Sequence, residues 1–147
     1  MLVCRGLGKH YVTERGPVAA VDGIDLEVPA GRFAAIIGRS GSGKSSLMAM
    51  IGGLSRPTDG TVTVDGTDLW ALSDDGLADF RNRRIGFVFQ FTSLLPTLRL
   101  VDNVALPALL GRRLGQREAY DRAGALLDRV GLADHRAAYP SEVSAGE

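Results

Sequence analysis

The sequence predicts an α/β fold in which a glycine-rich loop connects a buried strand to an amphipathic helix. Residues 33–37 are apolar at every position, which is typical of a strand buried on both faces. Residues 38–43 follow as the loop. Beyond the loop, apolar residues recur at the spacing of one helix face: Leu47, Met50, Ile51 and Leu54.

Composition narrows the class of protein. The chain has 147 residues, about the length of one domain, and its 45% hydrophobic and 23% charged residues are ordinary for a globular protein. The 17 basic and 17 acidic residues balance, which argues against a protein that binds nucleic acid through bulk charge. The single cysteine, Cys4, excludes an internal disulfide and a site built from several cysteines. We therefore expect no nucleic-acid partner.

Two further features concern location and basic residues. No stretch approaches the roughly 20 apolar residues that a membrane-spanning helix needs, and residues 1–11 lack the apolar segment of a signal peptide. A cytoplasmic protein is expected.

Lysine occurs only at Lys9 and Lys44, whereas the other basic residues among the 17 are arginine.

The segments on either side of the loop divide into a β-rich and a helical part. Alternation predicts strands at Ile24–Val28 and at Val62–Val64, with turns at 29–31, 57–60 and Asp65–Gly66. Residues 85–89 read as a second buried strand. Helix signals comprise a start at Ser73, a basic end at Arg81, Arg83 and Arg84, a cap at Asp102 for a helix through Leu106, and a stripe of Ala119, Ala123, Leu126, Leu127 and Val130 that stops at Gly131.

The strongest motif spans Gly38 to Ser45 and matches the pattern G-x-x-x-x-G-K-S without departure. In this pattern the loop N–H groups and the following helix N-terminus surround phosphate oxygens. Lys44 then reaches the β- and γ-phosphates, and Ser45 ligates Mg²⁺. The alternative is a Gly/Ser-rich surface turn, but the flanking strand and helix patterns favour a phosphate loop.

Together with this loop, residues 85–90 (IGFVFQ) and 139–147 (YPSEVSAGE) resemble the ATP-binding subunit of an ABC transporter. Residues 85–107 resemble in particular the branch that serves lipoprotein release and macrolide-type export. The resemblance implies a P-loop NTPase (RecA-like) core with an N-terminal antiparallel β-subdomain and a helical subdomain. The chain is expected to divide into four parts. They are 1–32 (start of the β-subdomain), 33–54 (phosphate-loop strand and helix), 55–90 (the rest of the β-subdomain, up to the glutamine loop) and 91–147 (the helical subdomain, up to the signature motif).

The resemblance also implies nucleotide-binding residues. Tyr11 falls where the family stacks an aromatic ring on adenine, and its alternative is a tyrosine at the rim or in the core. Val18 and Val21 could pack beside the nucleotide or be ordinary strand residues. Gln90 matches the glutamine that approaches Mg²⁺ and the attacking water. The implied phosphate contacts are Gly38, Arg39, Ser40, Gly41, Ser42, Gly43, Lys44, Ser45 and Ser46.

Ser144 and Gly146 correspond to the family's signature motif, whose N–H groups contact the γ-phosphate held by a second subunit. Here Val143 replaces leucine and Ala145 replaces glycine. The family's pattern continues with an acidic strand, a catalytic glutamate and a histidine that we expect to lie beyond this sequence. Truncation before that strand would leave Ala34–Ile37 as an exposed apolar edge, and no catalytic base is identified within the chain.

The implied function is coupling of ATP binding and hydrolysis, with Mg²⁺, to export or lipoprotein release. The implied partners are an integral-membrane permease, which holds the chain at the inner face of the membrane, and a second nucleotide-binding subunit. The permease is expected to dock on residues 91–110, where Phe91, Leu94, Leu95 and Leu98 are apolar. Two alternatives stay open: a truncated fragment that binds ATP without hydrolysing it, and a soluble ABC ATPase outside transport.

Overall fold

The computed structural model describes residues 1–14, 16–90, 93–111 and 114–143. It divides into two compact units, Met1–Phe87 and Val88–Glu147. None of the helices in the described residues has the length and apolar character needed to cross a membrane. The four-part division derived from the sequence stays a prediction.

The first unit is built on an antiparallel sheet with the strand order β2-β1-β3-β4. β1 (Leu2–Thr13) pairs with both β2 (Gly16–Val28) and β3 (Asp59–Val64), and β4 (Thr67–Asp68) closes a tight hairpin with β3. Asp65 and Gly66 both have positive φ, 48° and 81°, as the predicted turn requires. The predicted strands at Ile24–Val28 and Val62–Val64 are therefore confirmed.

Two helices cover the sheet of the first unit. α1 (Lys44–Ile51) ends at Gly52, and α2 (Asp74–Arg84) begins after Ser73, whose hydroxyl accepts a hydrogen bond from the Gly76 N–H at 3.2 Å. Both helix starts agree with the sequence analysis. Their apolar faces meet the sheet in one core: Cys4, Leu7, Val21, Leu47, Met50, Val62, Leu69 and Leu77.

Two predicted strands are wrong. Residues 33–37 and 85–89 are irregular, and neither joins the sheet. Phe33 is 94% exposed and Ile37 is 91% exposed, so this segment presents apolar side chains to solvent without forming the edge strand that was expected. The physical reason is that an apolar run supplies only side chains for a strand, whereas the ladder depends on backbone partners elsewhere in the chain.

The helix face predicted to end at Leu54 is also shorter than expected. α1 stops at Ile51, and Leu54 lies beyond it, about half exposed. Gly52 and Gly53 end the helix, because Gly53 has a φ of 70° that ordinary residues rarely adopt.

The second unit is helical. α3 (Leu100–Leu110) packs on α4 (Gln116–Arg129) through small and apolar side chains, and Gly131 follows α4 with a φ of 81°. The predicted Asp102 cap is wrong, because α3 begins two residues earlier and extends beyond Leu106. Asp102 instead accepts a hydrogen bond from the Tyr120 hydroxyl at 2.8 Å. The buried contacts are Leu100, Ala105, Ala119, Ala123 and Leu127, whereas Leu126 and Val130 are partly exposed.

Candidate functional site

The Lys44 ammonium lies inside the glycine-rich loop. It donates hydrogen bonds to the carbonyl oxygens of Gly38 at 2.9 Å and Arg39 at 2.6 Å, and to the Ser42 hydroxyl at 3.3 Å. An ammonium is a compact point charge with three donors, so it can satisfy three loop acceptors at once. The structure thus brings the first and last parts of the motif around one positive charge.

The N-terminus of α1 opens directly behind this charge. Gly43 occupies the N-cap position with a φ of 84°, and its carbonyl accepts the Leu47 N–H at 2.8 Å. Within the described residues, α1 has no side-chain cap and no acidic residue in its first turn. The first N–H groups of a helix lack intrahelical acceptors and carry partial positive charge. Their position beside Lys44 suits an anion, and Ser45 and Ser46 lie in this first turn.

Two features exclude a side chain at position 43: the positive φ of Gly43 and the nearby backbone of Ala20. Ala20 is the extra residue of a bulge in β2, between the Lys9–Val21 and His10–Ala19 pairs. A Cβ at Gly43 would collide with the Ala20 carbonyl oxygen. The bulge therefore places the hairpin backbone directly against the phosphate loop.

An open cavity of about 340 Å³ lies beside the loop, between β2 and α1. Its wall combines Val21, Ile36, Ile37 and Leu47 with the Lys44 side chain. Val21 belongs to the core as well, so it lies on a strand and also lines this cavity, and packing beside the nucleotide stays a prediction.

Tyr11 and Val18 form an exposed pair near the tip of the β1–β2 hairpin. They are directly opposite in the register, and Tyr11 is 43% exposed. Val18 and Ala20 are two residues apart on β2, at most about 7 Å along the strand. The aromatic ring and the phosphate loop are thus connected through one short stretch of β2.

Some of the remaining predicted site residues are exposed in the structure, and others lie outside the described residues. Arg39, Ser40 and Gly41 are exposed on the loop, and Gln90 is exposed in the second unit. Ser144 and Gly146 lie outside the described residues. The roles assigned to Gln90, Ser144 and Gly146 stay predictions.

Asn103 is a structural residue that the sequence analysis did not identify. Its amide accepts the Leu95 N–H at 2.8 Å and donates to the carbonyl oxygens of Leu95, Leu98 and Arg99. Leu94 and Leu95, on the loop that Asn103 holds, are 42% and 46% exposed. The Asn103 bonds are set by the loop path, which no local spacing in the sequence reveals.

The start of α3 is capped by the backbone of a distant segment. The N–H groups of Leu100 and Val101 donate to the carbonyl oxygens of Ala138 at 2.9 Å and Arg136 at 3.0 Å. Arg136 is held in turn by two hydrogen bonds to the Asp128 carboxylate on α4. This junction joins the loop before α3 to the segment that precedes residue 143.

Two groups outside the loop, Cys4 and Tyr120, have raised pKa values, whereas the N-terminal ammonium beside Asp65 lowers the pKa of that carboxyl group. Burial raises the pKa of the Cys4 thiol, which keeps it protonated and unreactive. The hydrogen bond to Asp102 raises the pKa of Tyr120, and burial and the negative charge of Asp102 act in the same direction. In the described ranges, no group of three or more His, Cys, Asp or Glu side chains is placed to hold a metal ion.

Comparison with known proteins gives a consistent result. Residues 21–147 match the ABC transporter family. The chain is 47% identical to the lipoprotein-releasing system ATP-binding protein LolD of Pseudomonas syringae pv. tomato, across all of this chain and 64% of that protein. It is 46% identical to the methionine import ATP-binding protein MetN of Streptomyces griseus, across all of this chain and 42% of that protein. The chain therefore spans less than two thirds of the length of these relatives.

Solved structures agree with the sequence comparison. The ATP-binding cassette MJ0796, in a dimeric post-hydrolysis state bound to ADP and Pi, aligns with a TM-score of 0.90 at 34% identity. The alignment covers 99% of this chain and 64% of that chain. The predicted resemblance and the predicted α/β class are confirmed. With its phosphate loop and this fold, the chain belongs to the ABC transporter family.

Proposed function

We propose that the phosphate loop binds ATP together with Mg²⁺. The observation that carries the proposal is the Lys44 ammonium, held among loop carbonyls in front of a helix N-terminus without a side-chain cap. Gly38, Arg39, Ser40, Gly41, Ser42, Gly43 and Ser46 then contribute backbone or side-chain contacts to the phosphates. Tyr11 offers its exposed ring to adenine, since two flat π-surfaces stack favourably.

Each group in the site has a defined task. Lys44 places its charge against the β- and γ-phosphates, and the loop N–H groups orient the chain of phosphates. The exposed Ser45 hydroxyl is an oxygen ligand of the kind that Mg²⁺ prefers. A role of Gln90 toward Mg²⁺ is proposed from the family resemblance alone. When bound, Mg²⁺ neutralises charge on the β- and γ-oxygens. No residue of the described chain is assigned as the catalytic base.

For the whole protein we propose a subunit that couples ATP binding and hydrolysis to export or lipoprotein release through a separate membrane permease. The name of the LolD relative supports this role. The dimeric MJ0796 cassette supports pairing with a second nucleotide-binding subunit, whose γ-phosphate Ser144 and Gly146 would contact. The expected location is the inner face of the cell membrane, reached through the permease.

Specificity for the transported molecule belongs to the permease in this proposal. The LolD and MetN relatives are named for a lipoprotein-releasing system and for methionine import, yet they are 47% and 46% identical to this chain. Similar identity to relatives named for different cargoes supports a role of this part of the protein in handling the nucleotide rather than the cargo.

The permease docks, in this proposal, on the loop that precedes α3. Leu94 and Leu95 are substantially exposed there, and the Asn103 amide fixes the loop through both its carbonyl oxygen and its NH₂ group. An apolar surface on a hydrogen-bonded loop is suited to a helix with an apolar face.

Titration of the chain with Mg-ATP tests the nucleotide site. Lys44→Ala removes a charged hydrogen-bond donor, and we expect about 10- to 100-fold weaker binding, which corresponds to about 1.4–2.7 kcal/mol. Lys44→Arg keeps the charge but replaces a compact ammonium by a planar fork, so intermediate affinity is expected. Circular dichroism confirms that each variant is folded. Equal affinity for wild type and a folded Lys44→Ala variant contradicts the assignment.

A further inference from the structure

Lys9, the lysine outside the phosphate loop, lies against the Tyr11 ring. Its ammonium is 5.3 Å from the centre of the Tyr11 ring, which is within the range of a cation–π interaction. Lys9 and Tyr11 are two residues apart on β1, so both side chains emerge on the same face of the strand. Lys9 is half-buried, whereas Tyr11 keeps 43% of its surface exposed. The cation thus covers part of the ring and leaves the rest accessible.

The position of the ammonium is fixed from its other side. Lys9 donates a hydrogen bond to the Arg56 carbonyl oxygen at 2.6 Å. The segment that carries this carbonyl is tied to β1, because the Thr58 N–H donates to the Gly8 carbonyl and the Thr58 hydroxyl accepts the His10 N–H. Lys9 therefore connects the ring to an anchored backbone group.

Arg56 is itself held in place. Its guanidinium donates to the Trp70 carbonyl at 3.0 Å and lies 5.3 Å from the centre of the Trp70 ring. A chain of contacts consequently runs from Trp70 through Arg56 and Lys9 to Tyr11. The orientation of an exposed aromatic side chain at a hairpin tip is thereby coupled to a half-buried tryptophan.

Lysine suits this position better than arginine, which the chain uses at 15 of its 17 basic positions. An ammonium occupies little of the ring and still has a donor for the Arg56 carbonyl, whereas a guanidinium stacks flat and covers an aromatic face. A stacked guanidinium would compete with a base for the same π-surface.

We propose that Lys9 is a positioning residue for the nucleotide base. It holds the Tyr11 ring in the orientation in which the ring stacks on adenine, and it makes no contact with the phosphates. The inference rests on the proposed function, since it deepens the role of Tyr11 in binding ATP.

The test compares ATP with inorganic triphosphate, which carries the phosphates but no base. We expect Lys9→Met to weaken Mg-ATP binding about two- to fivefold, the range of an exposed cation–π interaction. Binding of magnesium triphosphate should not change. Arg5→Met is the matched control, because Arg5 is an exposed cation on the same strand, paired with Glu27; it should change neither affinity.

Two further variants separate positioning from folding. Lys9→Gln keeps an N–H donor for Arg56 but removes the charge, and it should lower the ratio of ATP to triphosphate affinity as Lys9→Met does. In a Tyr11→Leu background, Lys9→Met should have no further effect, since its action passes through the ring.

The outcomes distinguish the two proposals. An unchanged affinity ratio in both folded Lys9 variants overturns the positioning role, and so does equal weakening of ATP and triphosphate. If the wild-type chain binds ATP and triphosphate but the Lys9 substitutions change neither affinity, the Lys9 inference fails and the proposed phosphate site stands. A wild-type chain that binds neither compound contradicts the proposed function, and the Lys9 inference falls with it.

Discussion

A single backbone contact at Gly43 shows how closely the site depends on individual residues. The Ala20 carbonyl occupies the space that a side chain at Gly43 would need, and the φ of 84° already disfavours other residues. Gly41, with a φ of 78°, has the same backbone constraint but open space around its Cβ position. A comparison of substitutions at these two glycines therefore distinguishes the cost of backbone strain from the cost of a steric collision.

Gly43→Ala should be more disruptive than Gly41→Ala. Both variants force a left-handed conformation, at about 1–2 kcal/mol each. Gly43→Ala additionally displaces β2 from the loop, so ATP affinity should fall further and unfolding should require less denaturant. Urea denaturation and ATP titration of both variants provide the measurement. Equal effects at the two glycines would show that the contact with Ala20 has no energetic role.

At the residue scale, the sequence predicted which side chains form the loop but not what surrounds them. The spacing of Gly38, Gly43 and Lys44 is local, so it can be recognised without a structure. The Ala20 contact depends on a bulge, which arises from the register between β1 and β2. The Lys9–Tyr11 pair was not predicted, because no strand was assigned to these residues; it follows only from β1, on which residues two apart share a face.

At the scale of elements, helix caps were predicted where one side chain decides them. Ser73 is the clear case, because its hydroxyl accepts the Gly76 N–H and two aspartates follow in the first turn. Ser73→Ala should cost about 1 kcal/mol of stability. Ser73→Asp, which retains an acceptor, should cost much less. Chemical denaturation of both variants checks this, and equal losses would contradict a capping role.

The pair formed by Tyr120 and Asp102 makes the helical unit sensitive to high pH. The pKa of Tyr120 is raised in the folded state, so folding favours the protonated phenol. This contribution is fully present below the ordinary tyrosine pKa, about 10, and is lost as pH rises through the folded value.

We expect the free energy of unfolding to decrease as the pH rises above the ordinary tyrosine pKa, about 10, and to decrease less in Tyr120→Phe. Denaturation at a series of pH values measures the difference. An identical pH profile for the two proteins would show that the hydrogen bond to Asp102 contributes nothing.

The loop before α3 is the element on which coupling to a permease is proposed to depend. In the full-length transporter, Leu94→Glu and Leu95→Glu should reduce transport while ATP affinity stays unchanged, because a buried charge at the interface is costly. Reconstituted transport and nucleotide titration are measured side by side. Loss of ATP binding and stability together would indicate core residues, and normal transport would place the docking surface elsewhere.

At the scale of the whole molecule, sequence patterns predicted the α/β class but two of the predicted strands are wrong. The β-hairpin, the phosphate loop and the helices depend on neighbours within a few residues or on one adjacent strand. A strand at residues 33–37 or 85–89 would need backbone partners in distant segments. The apolar patterns of these residues contain no information about such partners. The caps at the start of α3 were missed for the same reason, since Arg136 and Ala138 lie far along the chain.

The exposed apolar segment predicts the behaviour of the 147-residue chain in solution. Phe33 and Ile37 present nearly their whole side chains to solvent, and contiguous apolar surface promotes association. Phe33→Ser combined with Ile37→Thr should reduce self-association without loss of secondary structure. Sedimentation velocity across a concentration series measures this, with Leu110→Ser, a substitution at an exposed residue of the other unit, as a comparison. Unchanged association would exclude this segment as its cause.

The central claim, that ATP binds at the phosphate loop, is tested most directly by amide NMR of the labelled 15.6 kDa chain during a Mg-ATP titration. The largest shifts should occur at the amides of residues 38–46, with smaller shifts at Tyr11 and Val18. Saturable shifts elsewhere, with the loop amides unmoved, would contradict the account.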